Sequence, residues 1–512
     1  MKQSVNRRDF LKMSALSGAA LVAAGCDSGP IEKLMPLLAP PYDYVPGVST
    51  HYATTCGECS AACGLIVRTR EGRAIKAEGN PRHPISEGRI CLQGQSILQG
   101  LYSPSRAVGP VADIDKGRQN IGWKEGKQQL AAALRELKDK DSGILYIGPP
   151  RSGTFPEMMK DWLEGMGGGT YLEFDLTPVN SLRKANRIVF GKDEIPHFAL
   201  EKAELLINFG ADFLETWLNP IQLTRAYTDM HRYKDGKKGK YIHIAPHMSL
   251  TGTNADEWIS CPVGHETSIA LALSRILLDG AEHLSADEKQ RFRELLNGFS
   301  EEKVLQKTKL PDGTLARLAN EFKRNGRSLA IAGGNCNAGT DATRLQAAVN
   351  ILNYVAGNMG NTVVFGADYR IGGDTMTKLE SAMAAMKNGR YGLVIIENVN
   401  PAFTLPENSG FKAALKAVPT VVSLSTENDE TSELADLHLP TAHFLESWGD
   451  ARPRNGVFAL QQPVMARVPG FATMEAGGLM LELARLVGVD GFETPNYRDY
   501  IKASWKTLHQ EL

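Results

Sequence analysis

The stretch CGECSAACGLIVRTREGRAIKAEGNPRHPISEGRICLQG, residues 56–94, decides how this chain is interpreted. It contains Cys56, Cys59, Cys63 and Cys91, four of the seven cysteines in 512 residues. Thiolates are soft ligands, and four of them suit zinc or an iron–sulfur cluster. Three cysteines on one loop with a remote fourth favour a cluster, because zinc sites usually pair two C-x2-C knuckles. Zinc, and thiols that are unmetallated or form disulfides, remain as alternatives.

Length and composition bound the class of protein. A chain of 512 residues predicts several domains, and 42% hydrophobic with 22% charged residues is typical of globular proteins. Cysteines are too sparse for a disulfide-built scaffold. A formal net charge of −1 gives no broad attraction toward nucleic acid, so no nucleic-acid partner is expected.

The N-terminus has the features of an export signal. NRRDFLKMSALSGAALVAAGC, residues 6–26, resembles a twin-arginine signal, with Arg7 and Arg8 before an apolar run. Its end resembles a lipobox, in which Cys26 would be lipidated after residues 1–25 are removed. We therefore expect export to the periplasmic side of the cytoplasmic membrane and a lipid anchor at Cys26. The proline-rich residues 26–50 are expected to form a tether, and a short buried helix is the alternative for the apolar run.

The sequence after residue 50 has two parts with different predicted secondary structure. Residues 51–110 form a small unit with a predicted hairpin, LIVRTR and AIKAEG joined by Glu71-Gly72. After it, strands alternate with helices, which predicts parallel sheets covered on both faces. The alternation therefore predicts an α/β fold, and the family resemblance given below implies a small N-terminal iron–sulfur domain followed by two interleaved Rossmann-like domains. We assign residues 111–150 plus 326–495 to the first domain and residues 151–325 to the second.

Loops that follow predicted strands are candidate binding sites, because ligands of parallel sheets bind at the carboxyl ends of the strands. They include Gly210 in GADFLETW, the loop GGNCNAGT, and NVNPAF, in which Asn398 and Asn400 flank Val399. The alternative is that these glycines and asparagines only make turns. Cys261 and Cys336 stand alone in apolar contexts and are interpreted as buried hydrophobic residues.

The stretch that opens this section resembles the N-terminal cluster domain of the molybdopterin oxidoreductase superfamily. The shared features are the cysteine spacing, EGNPxHP at residues 78–84 and LYxPxR at residues 101–106. Later stretches extend the resemblance over nearly all of residues 51–490. Residues 31–56 and 185–220 resemble one branch, the exported molybdopterin-like subunits of alternative complex III and related menaquinone-reducing complexes. The resemblance implies one [4Fe-4S] cluster, with molybdopterin guanine dinucleotide as a further cofactor of the superfamily.

The sequence departs from the superfamily's catalysts at four points. Residues 177–204, where a metal ligand is expected, contain no cysteine, and their one serine is Ser181. Gln93 stands where the catalysts have a lysine between cluster and pterin. Residues 245–247 are Ala-Pro-His, with His247 last, where many relatives have Asp-Pro-Arg. The C-terminal barrel-like domain of the superfamily is expected to be missing. These departures predict a chain without catalytic molybdenum.

The preferred functional interpretation is an electron-transfer and scaffold subunit of a membrane-bound respiratory quinone oxidoreductase complex. Gln93 could tune the cluster by hydrogen bonding. The expected partners are a ferredoxin-like multi-cluster subunit, an integral-membrane quinone-binding subunit and a c-type cytochrome. The alternative is a catalytic subunit of the polysulfide, thiosulfate or tetrathionate reductase type, in which Ser181 or water would complete the metal site.

Overall fold

The computed structural model describes residues 45, 47–114, 117–138, 143–176, 179–324, 327–334 and 339–511. The expected export signal, Cys26, most of the expected tether and Cys336 lie outside these residues. Residues from Thr50 onward form one compact unit.

The described strands, in chain order, are β1 (Thr50–Thr55), β2 (Gly64–Arg70), β3 (Arg73–Gly79), β4 (Val111–Ile114), β5 (Gly117–Asn120), β6 (Gly143–Gly148), β7 (Gly169–Glu173), β8 (His197–Phe198), β9 (Leu205–Phe209), β10 (Lys240–Ile244), β11 (Glu257–Ile259), β12 (Ser328–Ala332), β13 (Val363–Val364), β14 (Tyr391–Ile396), β15 (Thr420–Ser423), β16 (Leu437–His438), β17 (Gly449–Arg454) and β18 (Val457–Gln461). The described α-helices are α1 (Leu92–Leu101), α2 (Trp123–Lys138), α3 (Thr154–Gly165), α4 (Asn180–Phe190), α5 (Pro220–His231), α6 (Glu266–Leu277), α7 (Ala286–Leu295), α8 (Glu301–Thr308), α9 (Thr314–Arg324), α10 (Ala342–Val355), α11 (Met376–Lys387), α12 (Pro401–Thr404), α13 (Phe411–Leu415), α14 (Ala476–Val487) and α15 (Tyr497–Glu511). None of these helices is long and apolar enough to cross a bilayer.

The N-terminal sheet is antiparallel, in the order β1-β2-β3. Glu71 and Gly72 connect β2 to β3 with φ angles of 52° and 73°, the left-handed region that a two-residue hairpin turn requires. The hairpin predicted from the sequence is therefore confirmed. Its buried face includes Leu65 and Val67, which pack against α1 residues such as Ile97.

The larger α/β sheet has the order β5-β4-β16-β15-β14-β6-β7, with parallel pairing from β16 to β7 and an antiparallel β4–β5 edge. Both faces of its central strands are covered. On β6, Ile144 and Tyr146 pack in one hydrophobic cluster, whereas Leu145 and Ile147 pack in another. This alternation is the pattern of a parallel sheet enclosed between two layers of helices.

The second sheet is parallel, in the order β11-β10-β9-β12. On β9, Leu205 and Ile207 face one cluster and Leu206 faces another, so this sheet is also covered on both sides. The fold class predicted from the sequence is confirmed in these two parallel-sheet layers and in the small N-terminal unit.

Strand pairing differs from the expected segment boundaries at 150/151 and 325/326. Strand β7, expected in the second α/β domain, pairs with β6 of the larger sheet. Strand β12, expected in the first, pairs with β9 of the second sheet. The chain therefore crosses between the sheets after β7 and returns after β12. The hydrophobic run of β12 identifies it as a strand, but neither this run nor the short sequence GTYLE of β7 carries information about a strand's partner.

Candidate iron–sulfur site and adjoining cavity

Three of the four cysteines lie on the loop between β1 and β2. Cys56 directly follows β1 and Cys63 directly precedes β2, and the N–H of Cys56 donates to the carbonyl of Cys63 at 2.8 Å. This hydrogen bond brings the two ends of the loop together. Ala62, with a φ of 46°, adopts the left-handed conformation within the loop. Cys59 stands at the exposed tip of the loop. The hairpin thus presents three thiols from one short, hydrogen-bonded turn.

The fourth thiol comes from the start of a helix. Cys91 is the N-cap of α1, and its Sγ accepts the backbone N–H of Gly94 at 3.3 Å. A side chain at position 94 would overlap Ile90, so the glycine permits the tight first turn that delivers this N–H. An N–H donor at a helix N-terminus stabilises negative charge on sulfur.

The charges of neighbouring cysteines contribute to the pKa values of Cys56 and Cys63. Burial, followed by the charges of Cys59 and Cys63, raises the pKa of Cys56 strongly. Burial, followed by the charges of Cys59 and Cys91, raises the pKa of Cys63 to about 12. All four are free thiols. Buried thiolates that repel one another are stable together only when a cation lies among them.

The donor set fits an iron–sulfur cluster better than a single ion. Within the described residues, no group of three or more His, Cys, Asp or Glu side chains is placed to hold one metal ion. A cubane of four iron atoms spreads its thiolates farther apart than one zinc ion does. When bound, such a cluster exchanges one electron at a time. The chain's own contribution is the hairpin, the helix N-terminus and the N–H donor on Cys91.

A polar cavity adjoins the cysteine loop. Ser60, between Cys59 and Cys63, accepts a hydrogen bond from the N–H of Gly372 at 3.4 Å, and Gly372 lines the cavity. The cavity has a volume of about 370 Å³ and lies beyond the carboxyl ends of β6 and β7, where ligands of parallel sheets bind. Its lining residues are Arg151, Ser152, Gly153, Pro156, Glu157, Lys160, Tyr171, Glu173, Asn180, Arg183, Arg370, Ile371, Gly372, Gly373, Asp374 and Lys378.

Five cations line the cavity, and three of them, Arg151, Arg183 and Lys378, are paired with carboxylates. Arg151 pairs with the buried carboxylate of Glu397 at 2.7 Å, and the hydroxyl of Tyr146 donates to the same carboxylate at 2.7 Å. Burial and then the charge of Glu397 raise the pKa of Tyr146. Lys160 and Arg370 have no ion-pair partner among the described residues. The cavity can therefore attract an anion, and phosphate is the anion that such sets commonly bind.

The candidate residues at the strand ends have local roles. Asn398 accepts hydrogen bonds from the N–H and hydroxyl of Thr426, at 2.8 and 2.9 Å, and Asn400 accepts from Thr431 at 2.7 Å. Gly210 follows β9 with a φ of 74°. These contacts fit the alternative that the residues make turns.

The other candidates lie away from the cavity lining. Gln93 is exposed in the first turn of α1, and its carbonyl accepts from the hydroxyl of Ser96 at 3.0 Å. Ser181 is half-buried near the start of α4 and is not among the cavity-lining residues, although its neighbours Asn180 and Arg183 are. Cys261 is buried in the core of the second sheet, as expected.

The cavity cations are the functional candidates that sequence reasoning missed. Arg151 lies in the turn GPPRSG, which directly follows the buried strand GILYIG. A strand ending in a glycine-rich turn before a helix was the available signal. The sequence contained no such signal for Lys160 or Arg370. Lys160 lies on a helix, and Arg370 is far from Arg151 in sequence.

Together, the fold and the cysteine site define an α/β protein of parallel sheets with a small N-terminal domain of the iron–sulfur type. Residues 49–103 match the family described as the molybdopterin oxidoreductase Fe4S4 domain. Residues 108–465 match the family described as molybdopterin oxidoreductase, which alone is more than half of the chain. The chain therefore belongs to the molybdopterin oxidoreductase family, as the resemblance in its sequence predicted.

Among curated relatives, the chain is 26% identical to the molybdopterin-binding-like subunit of menaquinone reductase from Nitratidesulfovibrio vulgaris, over 98% of this chain and 74% of the relative. It is 24% identical to a nitrate reductase from Symbiobacterium thermophilum, over 86% of this chain and 66% of the relative. Among solved structures, acetylene hydratase from Pelobacter acetylenicus shares the fold with a TM-score of 0.70 at 15% identity. That match covers 86% of this chain and 70% of the other.

Proposed function

We propose that this chain is an iron–sulfur electron-transfer and scaffold subunit of a membrane-bound quinone oxidoreductase complex. In this proposal Cys56, Cys59, Cys63 and Cys91 hold one [4Fe-4S] cluster, and the chain has no catalytic molybdenum. The observation that carries the proposal is the placement of four free thiols on one hairpin loop and one helix N-terminus of the same small domain. The similarity to a menaquinone reductase subunit supports the choice of complex.

The surroundings of the cavity support the second part of the proposal. Its lining contains no cysteine, and its one serine, Ser152, accepts the N–H of Arg452 at 3.0 Å. The carboxylate of Asp374 pairs with Lys378 at 2.7 Å. A molybdenum ligand must be soft or anionic and free to face the metal, and neither side chain meets that requirement.

A one-cluster chain needs partners to pass electrons between quinone and other carriers. We propose a ferredoxin-like multi-cluster subunit, an integral-membrane quinone-binding subunit and a c-type cytochrome for these roles. Export by the twin-arginine route and lipidation at Cys26 would place the chain beside them at the periplasmic face of the membrane.

One observation favours a second candidate function. The cations of the cavity fit the phosphates of a molybdopterin guanine dinucleotide, and the cavity rim contacts the cysteine loop through Ser60 and Gly372. A catalytic subunit of the polysulfide, thiosulfate or tetrathionate reductase type would use this arrangement, with water or Ser181 at the metal.

Cluster binding can be tested by iron and sulfide analysis and by electron paramagnetic resonance of anaerobically purified, dithionite-reduced protein. The proposal predicts about four iron atoms per chain and a cubane signal. The substitution Cys91→Ala should remove most of both, whereas Cys261→Ser, at a buried cysteine in the second sheet, should retain them. Equal iron in both variants would contradict the assignment of the ligands.

A further inference from the structure

The exposed face of the β2–β3 hairpin places cations opposite cations. Arg68 lies directly across from Lys76, and Arg70 directly across from Arg73. We call these four residues the basic face. Like charges directly opposite each other destabilise a strand pair, and within the described part of the chain none of the four forms an ion pair. The opposed charges of these two cross-strand pairs therefore do not stabilise the hairpin.

The basic face belongs to the same small domain as the four cysteines. Strand β2, which carries Arg68 and Arg70, begins directly after Cys63. The ammonium of Lys76 donates to the side chain of Gln95 on α1 at 2.7 Å, and α1 begins at its N-cap, Cys91. One strand and one hydrogen bond to a helix therefore connect the face to the two segments that carry the cysteines.

A surface cavity lies at the edge of the basic face. It has a volume of about 320 Å³ and is lined by Arg70, Glu71, Arg73, Ala74, Ile75 and Tyr102. The guanidinium of Arg73 lies 5.6 Å from the centre of the Tyr102 ring, and Ile75 is 43% exposed. Arginine and aromatic side chains around a concave apolar spot are the composition of protein–protein interaction sites.

We propose that the basic face is the docking surface for an acidic electron-transfer protein. Carboxylates of the partner would neutralise the opposed cations, and an apolar or aromatic side chain would enter the cavity. Each transfer would move one electron, oxidising the partner's cluster by one unit and reducing the cluster of this chain by one. A lipid surface would satisfy the cations equally well but has no use for the cavity, so a protein is the better occupant. The inference rests on the proposed function, because it needs a cluster in this chain.

The test uses the purified holoprotein and, as probe, a chemically reduced acidic [4Fe-4S] ferredoxin. Stopped-flow spectroscopy follows the reduction of this chain's cluster over a range of ionic strength. The double variant Arg70→Ser with Arg73→Ser removes two charges from the face. Lys234→Ser with Lys237→Ser removes the same charge from an exposed turn elsewhere and is the control. We expect the first variant to lower the second-order rate constant about tenfold at low salt and to flatten its salt dependence. The control should stay within about twofold of the wild type.

Two further measurements keep the outcomes distinct. Iron content and thermal midpoint should be equal to or higher than those of the wild type in the Arg70/Arg73 variant, because a repulsive strand pair has been relieved. Equal rate losses in both double variants, a lowered thermal midpoint, or no reduction of an intact cluster by the probe would overturn the docking surface alone. Absence of a cluster from the wild type would instead overturn the proposed function.

Sedimentation with phosphatidylglycerol vesicles tests the lipid alternative. Vesicle binding that is lost in the Arg70/Arg73 variant, with an unchanged rate of reduction by ferredoxin, would assign the face to the membrane.

Discussion

Arg106 and Glu446 form a two-pronged ion pair, at 2.7 and 3.3 Å, and both side chains are completely buried. Arg106 lies near the end of the iron–sulfur domain assigned to residues 51–110, and Glu446 precedes β17 of the α/β body. Glu446 also accepts the N–H groups of His443 and Val468, at 3.1 and 2.7 Å. One carboxylate therefore joins Arg106 of the small domain to two backbone N–H groups of the body.

Removing one partner of this pair should be far more harmful than removing the charge of both. Arg106→Met would leave a buried carboxylate unpaired, at a cost of about 3–5 kcal/mol. Combining it with Glu446→Gln removes the charge and keeps an acceptor oxygen for one of the two backbone N–H groups, which donate to different carboxylate oxygens. At least about 1 kcal/mol should therefore be recovered. Denaturant unfolding of the three proteins measures this. A double variant less stable than Arg106→Met would contradict the account.

The turn that delivers Cys91 should tolerate no side chain at Gly94. In Gly94→Ala the new methyl group would overlap Ile90 and displace the N–H that Cys91 accepts. We expect a loss of about 1–3 kcal/mol of stability and a clear loss of bound iron. The matched control is Gly122→Ala, where the added methyl group meets open space. Iron content per chain is the measurement, and equal iron in both variants would refute the proposed role of the turn.

A buried histidine should make the second α/β sheet sensitive to acid. His243 is fully buried, and burial, followed by the charge of His247, lowers its pKa from 6.5 to about 4. Its stabilising effect is present in full above pH 6.5 and is lost as the pH falls to about 4, because only the unfolded chain binds the proton in that window. The loss attributable to His243 is at most about 3.4 kcal/mol, because the pKa falls by about 2.5 units.

The histidine prediction is checked by unfolding at pH 7 and pH 4.5. In His243→Gln, the difference in stability between the two pH values should be smaller than in the wild type. His509→Gln, at an exposed position in α15, should leave the difference unchanged. A wild-type pH dependence retained in full by His243→Gln would contradict the assignment.

The cavity beside the cysteine loop should bind a diphosphate whether or not a metal is present. Inorganic pyrophosphate at 100 times its dissociation constant would stabilise the protein by about 2.7 kcal/mol and raise its thermal midpoint. Lys160→Ser with Arg370→Ser should abolish the increase, since these cations have no ion-pair partner among the described residues. Arg291→Ser with Lys303→Ser, at exposed positions elsewhere, should retain it. An increase that persists in the Lys160/Arg370 variant would assign the pyrophosphate to another site.

The sequence predicted local features well because they depend on neighbouring residues. The Glu71-Gly72 turn needs two residues that tolerate positive φ, and the spacing of Cys56, Cys59 and Cys63 reflects one short loop. The parallel sheets followed from alternating strands and helices. These features needed no knowledge of distant contacts.

Long-range pairing was beyond the sequence. The partner of β12 is β9, more than a hundred residues away, and an apolar run is compatible with either sheet. The cavity was missed for the same reason, because Arg151 and Arg370 meet only when the two α/β layers come together. The opposed cations of the basic face likewise required the observed register of β2 and β3.

The central claim is that this chain holds a cluster and works without molybdenum. Metal analysis of the anaerobically purified full-length protein, expressed in cells supplied with molybdate and tungstate, tests it most directly. The account predicts about four iron atoms per chain, with molybdenum, tungsten and pterin all far below one per chain. Stoichiometric molybdenum or tungsten together with pterin would contradict it and would establish the catalytic alternative.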